Sequence, residues 1–167
     1  SDFYGKMSFF SPNGSKINLY GFGFNDNVNY IDLTEIGWLT YGFGTNIVLI
    51  PSSSKILVEG NMSYSKYDLF QQDFGETKNE SSIDGFNLGL DFSYFISQLH
   101  RLKYGFEILG YTTTLDLTNA LGAFVDPEDH STEFAAYLAY KYNNNLLIID
   151  PSIRLQNYTS LGETSIE

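Results

Sequence analysis

The chain of 167 residues has few side chains that could carry out catalysis, since it holds no Cys and only two His. His100 is expected to be a solvated residue of a short turn, whereas His130 lies in the acidic segment Asp126–Ser131. A His held by a neighbouring carboxylate can act as a general base, so a hydrolase that uses His130 is one interpretation. The other is a polar turn around Pro127. We favour the turn, because adjacent residues of one loop rarely converge on a substrate, and predict that the chain is not an enzyme.

Acidic side chains concentrate in three long segments, Asn25–Glu35, Asp68–Asp84 and Asp116–Glu133, which together hold 13 acidic residues and one basic residue. Ca²⁺ prefers several oxygen ligands, so Ca²⁺ at these segments is considered, although their spacing is not that of an EF-hand. No other cofactor is expected, because the chain has neither a P-loop nor a dinucleotide fingerprint. The candidate ligand-binding or cation-binding residues are Asp73, Glu76, Asp126, Glu128, Asp129 and His130.

Apolar residues recur at every second position in the stretches that separate the acidic segments. From Phe86 to Ile96, one side of an extended chain carries Phe, Leu, Tyr and Ile, and the other carries mainly Asn, Gly, Asp and Ser. Successive side chains of a strand point to opposite faces, so this pattern predicts strands with one apolar and one polar face. Eight strands are predicted, at Phe3–Phe10, Lys16–Phe24, Thr40–Ile50, Ile56–Lys66, Phe86–Ile96, Leu102–Ile108, Phe134–Tyr142 and Leu147–Leu155.

The lengths of these strands and connections point to a membrane. Most predicted strands have about nine residues or more, whereas soluble strands usually have roughly 5–6 and a tilted strand across a bilayer needs ~9–11. Short turns alternate with the three long segments, as periplasmic turns and extracellular loops do in outer-membrane barrels. We therefore expect an all-β fold, an antiparallel up-and-down transmembrane β-barrel. A soluble lipocalin-like barrel or a β-sandwich is the alternative.

Tyrosines near the strand ends are interpreted as interfacial girdles: Tyr20, Tyr30, Tyr41, Tyr64, Tyr67, Tyr94, Tyr104, Tyr111, Tyr140, Tyr142 and Tyr158.

Charged residues of both signs fall on the polar face of the predicted strands. If eight strands close into a barrel, these side chains must pair in a packed interior. In a larger barrel they would line a wet or plugged lumen. The predicted lumen-facing residues are Glu59, Asp91, Lys103, Glu107, Glu133, Lys141, Asp150 and Arg154.

The composition excludes several classes of protein. With 20 acidic and 9 basic residues the net charge is −11, so a nucleic-acid partner is not expected. Hydrophobic residues make up 43% and aromatic residues 17% of the chain, which is too much for disorder. No apolar stretch reaches the length of a transmembrane helix, and the absence of Cys excludes a disulfide scaffold.

The stretch Leu102–Glu107, preceded by His100 and Arg101, resembles a strand of TonB-dependent outer-membrane receptors, especially of the kind abundant in Bacteroidota. Three further segments, Ile36–Trp38, Asn61–Tyr67 and Glu133–Tyr137, are similar to successive strands of the same barrels. That family has a plug domain ahead of a barrel of about 22 strands. The expectation is that residues 1–167 form a single barrel domain or barrel segment without a plug domain.

The resemblance implies uptake of a nutrient (a siderophore, glycan or peptide) across the outer membrane, with ligand contacts in the three long segments. Outer-membrane lipid and lipopolysaccharide are the expected partners, together with a surface lipoprotein or TonB reached through regions outside the chain. Two alternatives remain open: a small structural or adhesion barrel of eight strands, and a hydrolase with His130 at the extracellular rim.

Overall fold

The computed structural model describes residues 1–30, 33–73, 78–118, 124–125, 127–159 and 163–166. In these residues the regular structure is entirely β. No helix there is long and apolar enough to cross a membrane. The strands are β1 (Asp2–Phe10), β2 (Lys16–Tyr30), β3 (Thr34–Leu49), β4 (Ile56–Asp73), β5 (Asn79–Phe95), β6 (His100–Thr118), β7 (Phe124–Val125), β8 (Glu128–Asn143), β9 (Ile148–Ile149), β10 (Ser152–Tyr158) and β11 (Glu163–Ile166).

The strands form one antiparallel sheet in which each long strand pairs with the next along the chain. The order is β1-β2-β3-β4-β5-β6-β8-β10-β11, and the two-residue strands β7 and β9 pair beside this path with β6 and β8. The predicted all-β, antiparallel, up-and-down arrangement is therefore confirmed. Within the described residues, β1 pairs only with β2, and β11 pairs only with β10, so these strands form an open sheet.

The three long segments predicted as loops are mostly strand, so this prediction is wrong. β2 continues to Tyr30, β4 to Asp73 and β6 to Thr118, and the strands from β2 to β6 have 15 to 19 residues. Ladder hydrogen bonds form whatever the side chains are, and in these extensions polar residues occupy both faces of a strand, as Asp26 and Asn27 do in β2. The alternation that marks a strand is then lost from the sequence, although the strand itself continues.

The last predicted strand, Leu147–Leu155, is also corrected. It is interrupted at Asp150 and Pro151, which lie between β9 and β10. Pro has no N–H to give to a ladder, and this explains the break. β11 was not predicted from the sequence.

The two faces of the sheet differ in chemistry along its whole width. Residues paired in register share a face, so Met62, Leu88, Ile108 and Phe134 stand side by side on one of them, here called the apolar face. The opposite, polar face carries Asn87 and the residues in register with it. Ala135 is the only hydrophobic residue that is fully buried within the described part of the chain, and Leu88, Phe134 and Leu138 are exposed. An apolar face of this extent needs an apolar partner or a lipid environment.

The predicted tyrosine girdles are correct for only part of the set. Tyr41 and Tyr64 stand near one border of the apolar face, and Tyr94, Tyr104, Tyr140 and Tyr142 stand near the short turns at the other border. The remaining five point to the polar face, so their assignment to a girdle is wrong. The strand period alone places them there: Tyr20, Tyr30, Tyr67, Tyr111 and Tyr158.

Candidate functional site

Charged side chains form a belt across the polar face, on the side of the sheet nearer the short turns. Seven of these residues are placed on this face by the strand register, and the eighth, Asp150, joins them through an ion pair with Lys141. All eight residues that were predicted to face a lumen therefore lie together, while their position inside a lumen remains a prediction. This charged belt consists of Glu59, Asp91, Lys103, Glu107, Glu133, Lys141, Asp150 and Arg154.

Arg154 of β10 links two carboxylates at the β10 end of the belt. Its Nη2 lies 3.5 Å from Glu107 Oε2 and 4.0 Å from Glu133 Oε1. The amide of Asn87 donates a hydrogen bond of 3.0 Å to Glu107 Oε1, and the amide of Gln156 donates to Glu133. One guanidinium thus bridges carboxylates of β6 and β8, and neutral amides satisfy other carboxylate oxygens. This arrangement lowers the cost of holding charge on a partly buried face.

A second group in the belt surrounds Asp91. The Nζ of Lys103 lies 3.7 Å from Asp91 Oδ2 and 5.5 Å from the ring centre of Tyr137, whose hydroxyl donates a hydrogen bond to Asp91. Glu59 is the register partner of Asp91, so Lys103 balances two neighbouring carboxylates. Gly105 leaves room for this group, because a Cβ there would lie 2.4 Å from Asp91 Oδ1.

Next to the short turns, Lys141 of the belt faces a further basic residue of the polar face, Arg101. Arg101 and Lys141 are register partners on β6 and β8, and Lys141 Nζ lies 3.3 Å from Asp150 Oδ2. Facing like charges are unfavourable in a sheet unless an acidic group is close. Asp150 supplies that group, and the break at Pro151 leaves it beside Lys141.

Beyond the belt, toward the strand ends opposite the short turns, the polar face between β2 and β6 carries no charged side chain in three consecutive rows. Aromatic rings stand there among glycines, hydroxyls, one amide and two aliphatic side chains, Ile83 and Leu109. In one row, for example, Phe22, Gly42, Ser65, Gly85 and Tyr111 follow one another across the five strands. We call this region the uncharged zone: Tyr20, Phe22, Phe24, Thr40, Gly42, Gly44, Ser63, Ser65, Tyr67, Ile83, Gly85, Asn87, Leu109, Tyr111 and Thr113.

The uncharged zone contains a depression of about 470 Å³ whose lining includes Ser63, Ser65, Tyr67 and Tyr111. None of these residues was predicted as a site residue. The signal for Tyr67 and Tyr111 was present in the strand period, which gives them the parity of Ser63 and Ser65 on β4 and of Glu107 on β6.

The acidic candidates at the far strand ends do not form one cluster. Asp73 ends β4 on the polar face, where its neighbours Thr34 and Gln71 hold the pKa of its carboxyl below the usual value. The Gln71 amide donates a hydrogen bond of 3.3 Å to Asp73 Oδ1, and the Thr34 hydroxyl also lies 3.3 Å from the carbonyl oxygen of Gln72, with which Asp73 competes for its proton. Glu128, Asp129 and His130 open β8 as strand residues and not as loop residues. Within the described chain, no three acidic or His side chains gather into a group that could hold a metal ion. Glu76 and Asp126 lie outside the described residues.

His130 lies on the same side of the sheet as the apolar face, beyond its border. Its Nδ1 is 3.0 Å from the hydroxyl of Thr112, and its Nε2 is 3.4 Å from Glu128 Oε1. The side chains of His130 and Glu128 are 68% and 56% exposed, so this group stands in solvent rather than in a cleft. Asp129 points to the opposite face and does not take part.

Comparison with known proteins identifies the fold. No family model matches the chain, and no curated protein matches it. Among solved structures, the chain is similar to the outer membrane transporter YddB from Escherichia coli, with a TM-score of 0.74 and 98% of this chain covered. The two sequences are 11% identical, and the chain spans 28% of the YddB chain. The likeness shows the fold, which is that of an outer-membrane β-barrel.

Proposed function

We propose that this chain forms part of the wall of an outer-membrane transport barrel, a TonB-dependent receptor that takes up a nutrient. The observation that carries the proposal is the likeness to the outer membrane transporter YddB over 98% of the chain. The open sheet supports a barrel larger than the described strands, because both edge strands have a free side within the described residues. A closed adhesion barrel of eight strands fits this sheet less well.

In such a barrel the apolar face contacts lipid and the polar face lines the lumen. The charged belt then lies in the half of the lumen near the short turns, and the uncharged zone lies in the half that a ligand enters from outside. In a lumen, carboxylates and guanidinium groups can keep part of their hydration, which suits the partial exposure of Arg154 and Glu107.

The proposal includes the partners that the family resemblance implies. The protein resides in the outer membrane among phospholipid and lipopolysaccharide, and cations such as Ca²⁺ bridge its acidic strand ends to lipopolysaccharide phosphates. TonB and a surface lipoprotein would act through regions other than the described sheet.

Deletion of the gene tests the proposal. Cells that lack it are expected to lose growth on one compound from a panel of ferric enterobactin, maltohexaose, xylohexaose, laminarihexaose, hexagalacturonate and tetra-alanine, and the full-length gene should restore this growth. A protonophore should abolish uptake of the same compound, because transport through TonB is energised. Equal growth of deleted and intact cells on every compound would contradict the proposal.

A hydrolase at the rim is the second candidate, and the contacts of His130 with Thr112 and Glu128 favour it. A hydroxyl, an imidazole and a carboxylate in sequence are the parts of a nucleophile, a base and an orienting group. His130→Ala in the full-length protein separates the candidates. Unchanged turnover of phospholipid, lipid A and peptide by this variant would dismiss the hydrolase.

A further inference from the structure

The depression in the uncharged zone has the dimensions of a ligand site. Its volume of about 470 Å³ falls within the roughly 300–1,000 Å³ of small-molecule pockets. Gly85 lies between Ser65 and Tyr111 in one row, and Tyr67 follows Ser65 on the same face of β4, diagonally across from Tyr111. Gly85 has no side chain to fill the space between the two rings, and Ile83, the register partner of Tyr67, borders that space. Both residues keep a large free surface, since Tyr67 is 40% exposed and Tyr111 is 46% exposed. The sheet therefore presents two aromatic surfaces around an open floor.

Hydroxyl groups supply the polar part of this floor. Ser63 and Ser65 lie on β4 beside Asn87 and Gly85, their register partners on β5. Thr40 stands next to Tyr67 on β3. Within the described part of the chain, the hydroxyls of Ser63 and Ser65 make no hydrogen bond to another side chain. They are available to a ligand as donors and as acceptors.

No charged side chain of the polar face lines the depression. Lys66 borders it, but its side chain belongs to the opposite face and pairs with Asp68 at 3.0 Å. A charged ligand would lose hydration here without gaining a counter-charge, which is costly. Asp73 and Asp129, on the polar face at the strand ends beyond the zone, would in addition repel an anion on its way in.

We propose that this depression binds a neutral oligosaccharide, an inference that rests on the uptake function proposed above. The C–H face of a sugar ring packs against an aromatic ring, and its hydroxyls exchange hydrogen bonds with Ser, Thr and Asn side chains. Tyr67 and Tyr111 supply the two packing surfaces, and Ser63 and Ser65 supply the hydrogen bonds between them. The chemistry of the site matches an uncharged glycan better than an anionic siderophore or a peptide with charged ends.

The test begins with the compound that the gene-deletion experiment identifies. Among the six compounds of the panel, the required one is expected to be maltohexaose, xylohexaose or laminarihexaose. Calorimetry with the detergent-solubilised full-length protein then measures its binding. Tyr67→Ala and Tyr111→Ala should each weaken binding about tenfold, and Ser65→Asp should weaken it as well. The matched control is Tyr104→Ala, a tyrosine of β6 on the apolar face, which should leave affinity within about twofold of the wild type.

The outcomes separate the two proposals. A requirement for ferric enterobactin, hexagalacturonate or tetra-alanine would overturn the glycan assignment and leave the uptake function standing. A neutral glycan whose affinity is unchanged by both tyrosine variants would overturn the assignment of the site. If no compound of the panel requires the gene, the uptake function fails and the glycan assignment fails with it.

Discussion

Arg154 is predicted to stabilise the fold through its ion pairs in the charged belt. It lies between Glu107 and Glu133, so Arg154→Met would leave two carboxylates on a partly buried face without their shared partner. Exposed ion pairs contribute about 0.2–1 kcal/mol, and breaking a buried pair costs about 3–5 kcal/mol. The side chain of Arg154 is 35% exposed, and we expect a loss of about 1–3 kcal/mol in urea unfolding of the full-length protein in detergent.

The triple variant R154M/E107Q/E133Q is the matched control for this prediction, because it removes the two carboxylates as well as the guanidinium. It should recover most of the lost stability. If the triple variant is no more stable than Arg154→Met, the stranded charges are not the cause of the loss.

Gly105 is predicted to be intolerant of any side chain. An added Cβ would lie 2.4 Å from Asp91 Oδ1 and 2.6 Å from the carbonyl oxygen of Leu90, and the backbone oxygen cannot swing away. Gly105→Ala should therefore cost about 1–3 kcal/mol in the same unfolding measurement. Gly5→Ala is the control, since nothing lies within 4 Å of a Cβ at that position. Equal stability of the two variants would contradict the packing around Asp91.

Asp73 gives a prediction about titration. The Thr34 hydroxyl is the main cause of its lowered pKa, so Thr34→Val should move the pKa of Asp73 up toward the usual value. A lowered pKa stabilises the fold at pH values above the unfolded pKa, and this contribution is lost as the pH falls through the folded pKa. NMR titration of the Asp73 carboxyl carbon measures the shift. An unchanged pKa in the variant would show that Thr34 does not donate this bond.

At the residue scale, the sequence predicts which face a side chain occupies but not which partner it finds. Strand parity placed Glu107 and Arg154 together on the polar face, yet their contact depends on β8 lying between β6 and β10 in a particular register. The parity of Tyr67 and Tyr111 was also visible, but their nearness to predicted strand ends suggested a girdle. The depression itself needs four strands, β3 to β6, side by side and has no signature in the sequence.

At the scale of the elements, period-two patterns and turn residues predict the hairpins, but they do not predict how far the strands extend at the ends opposite the short turns. β4 and β5 remain paired up to Gln71 and Asn79, where polar residues occupy both faces. A pattern of alternating hydrophobicity cannot exist where both faces meet water. For this reason the middle of each strand was predicted and its end was not. At Pro151 the reverse holds: the alternation of apolar and polar residues continues through this position, but the strand is interrupted there.

The two faces of β10 are predicted to differ in their tolerance of a charged side chain. Leu155 lies on the apolar face and the neighbouring Gln156 lies on the polar face beside Glu133. In a bilayer, Leu155→Arg should cost about 2–4 kcal/mol, the usual cost of Arg on the lipid side near the midplane. Gln156→Arg should cost little, because Glu133 can pair with the new cation. Unfolding of the full-length protein in lipid vesicles measures both, and equal costs would mean that the two faces of β10 meet the same environment.

At the scale of the whole molecule, the net charge of −11 is not spread evenly. The acidic strand ends lie opposite the short turns, the charged belt holds five acidic and three basic residues, and the uncharged zone lies between them. In the transport barrel proposed above, a ligand that enters from the acidic end would meet the uncharged zone before the belt. This order is what a neutral ligand requires, since the entrance disfavours anions and the first contact surface disfavours any charge.

The claim that β5 crosses a bilayer with one face toward lipid is tested most directly by spin labels. The chain contains no Cys, so single cysteines can be placed in turn at the seven positions Phe86–Phe92 of the full-length protein in lipid vesicles. Collision with dissolved oxygen should be high at Phe86, Leu88, Leu90 and Phe92 and low at Asn87, Gly89 and Asp91. Equal collision at all seven positions, or access of a water-soluble nickel complex to Leu88 and Leu90, would contradict the account.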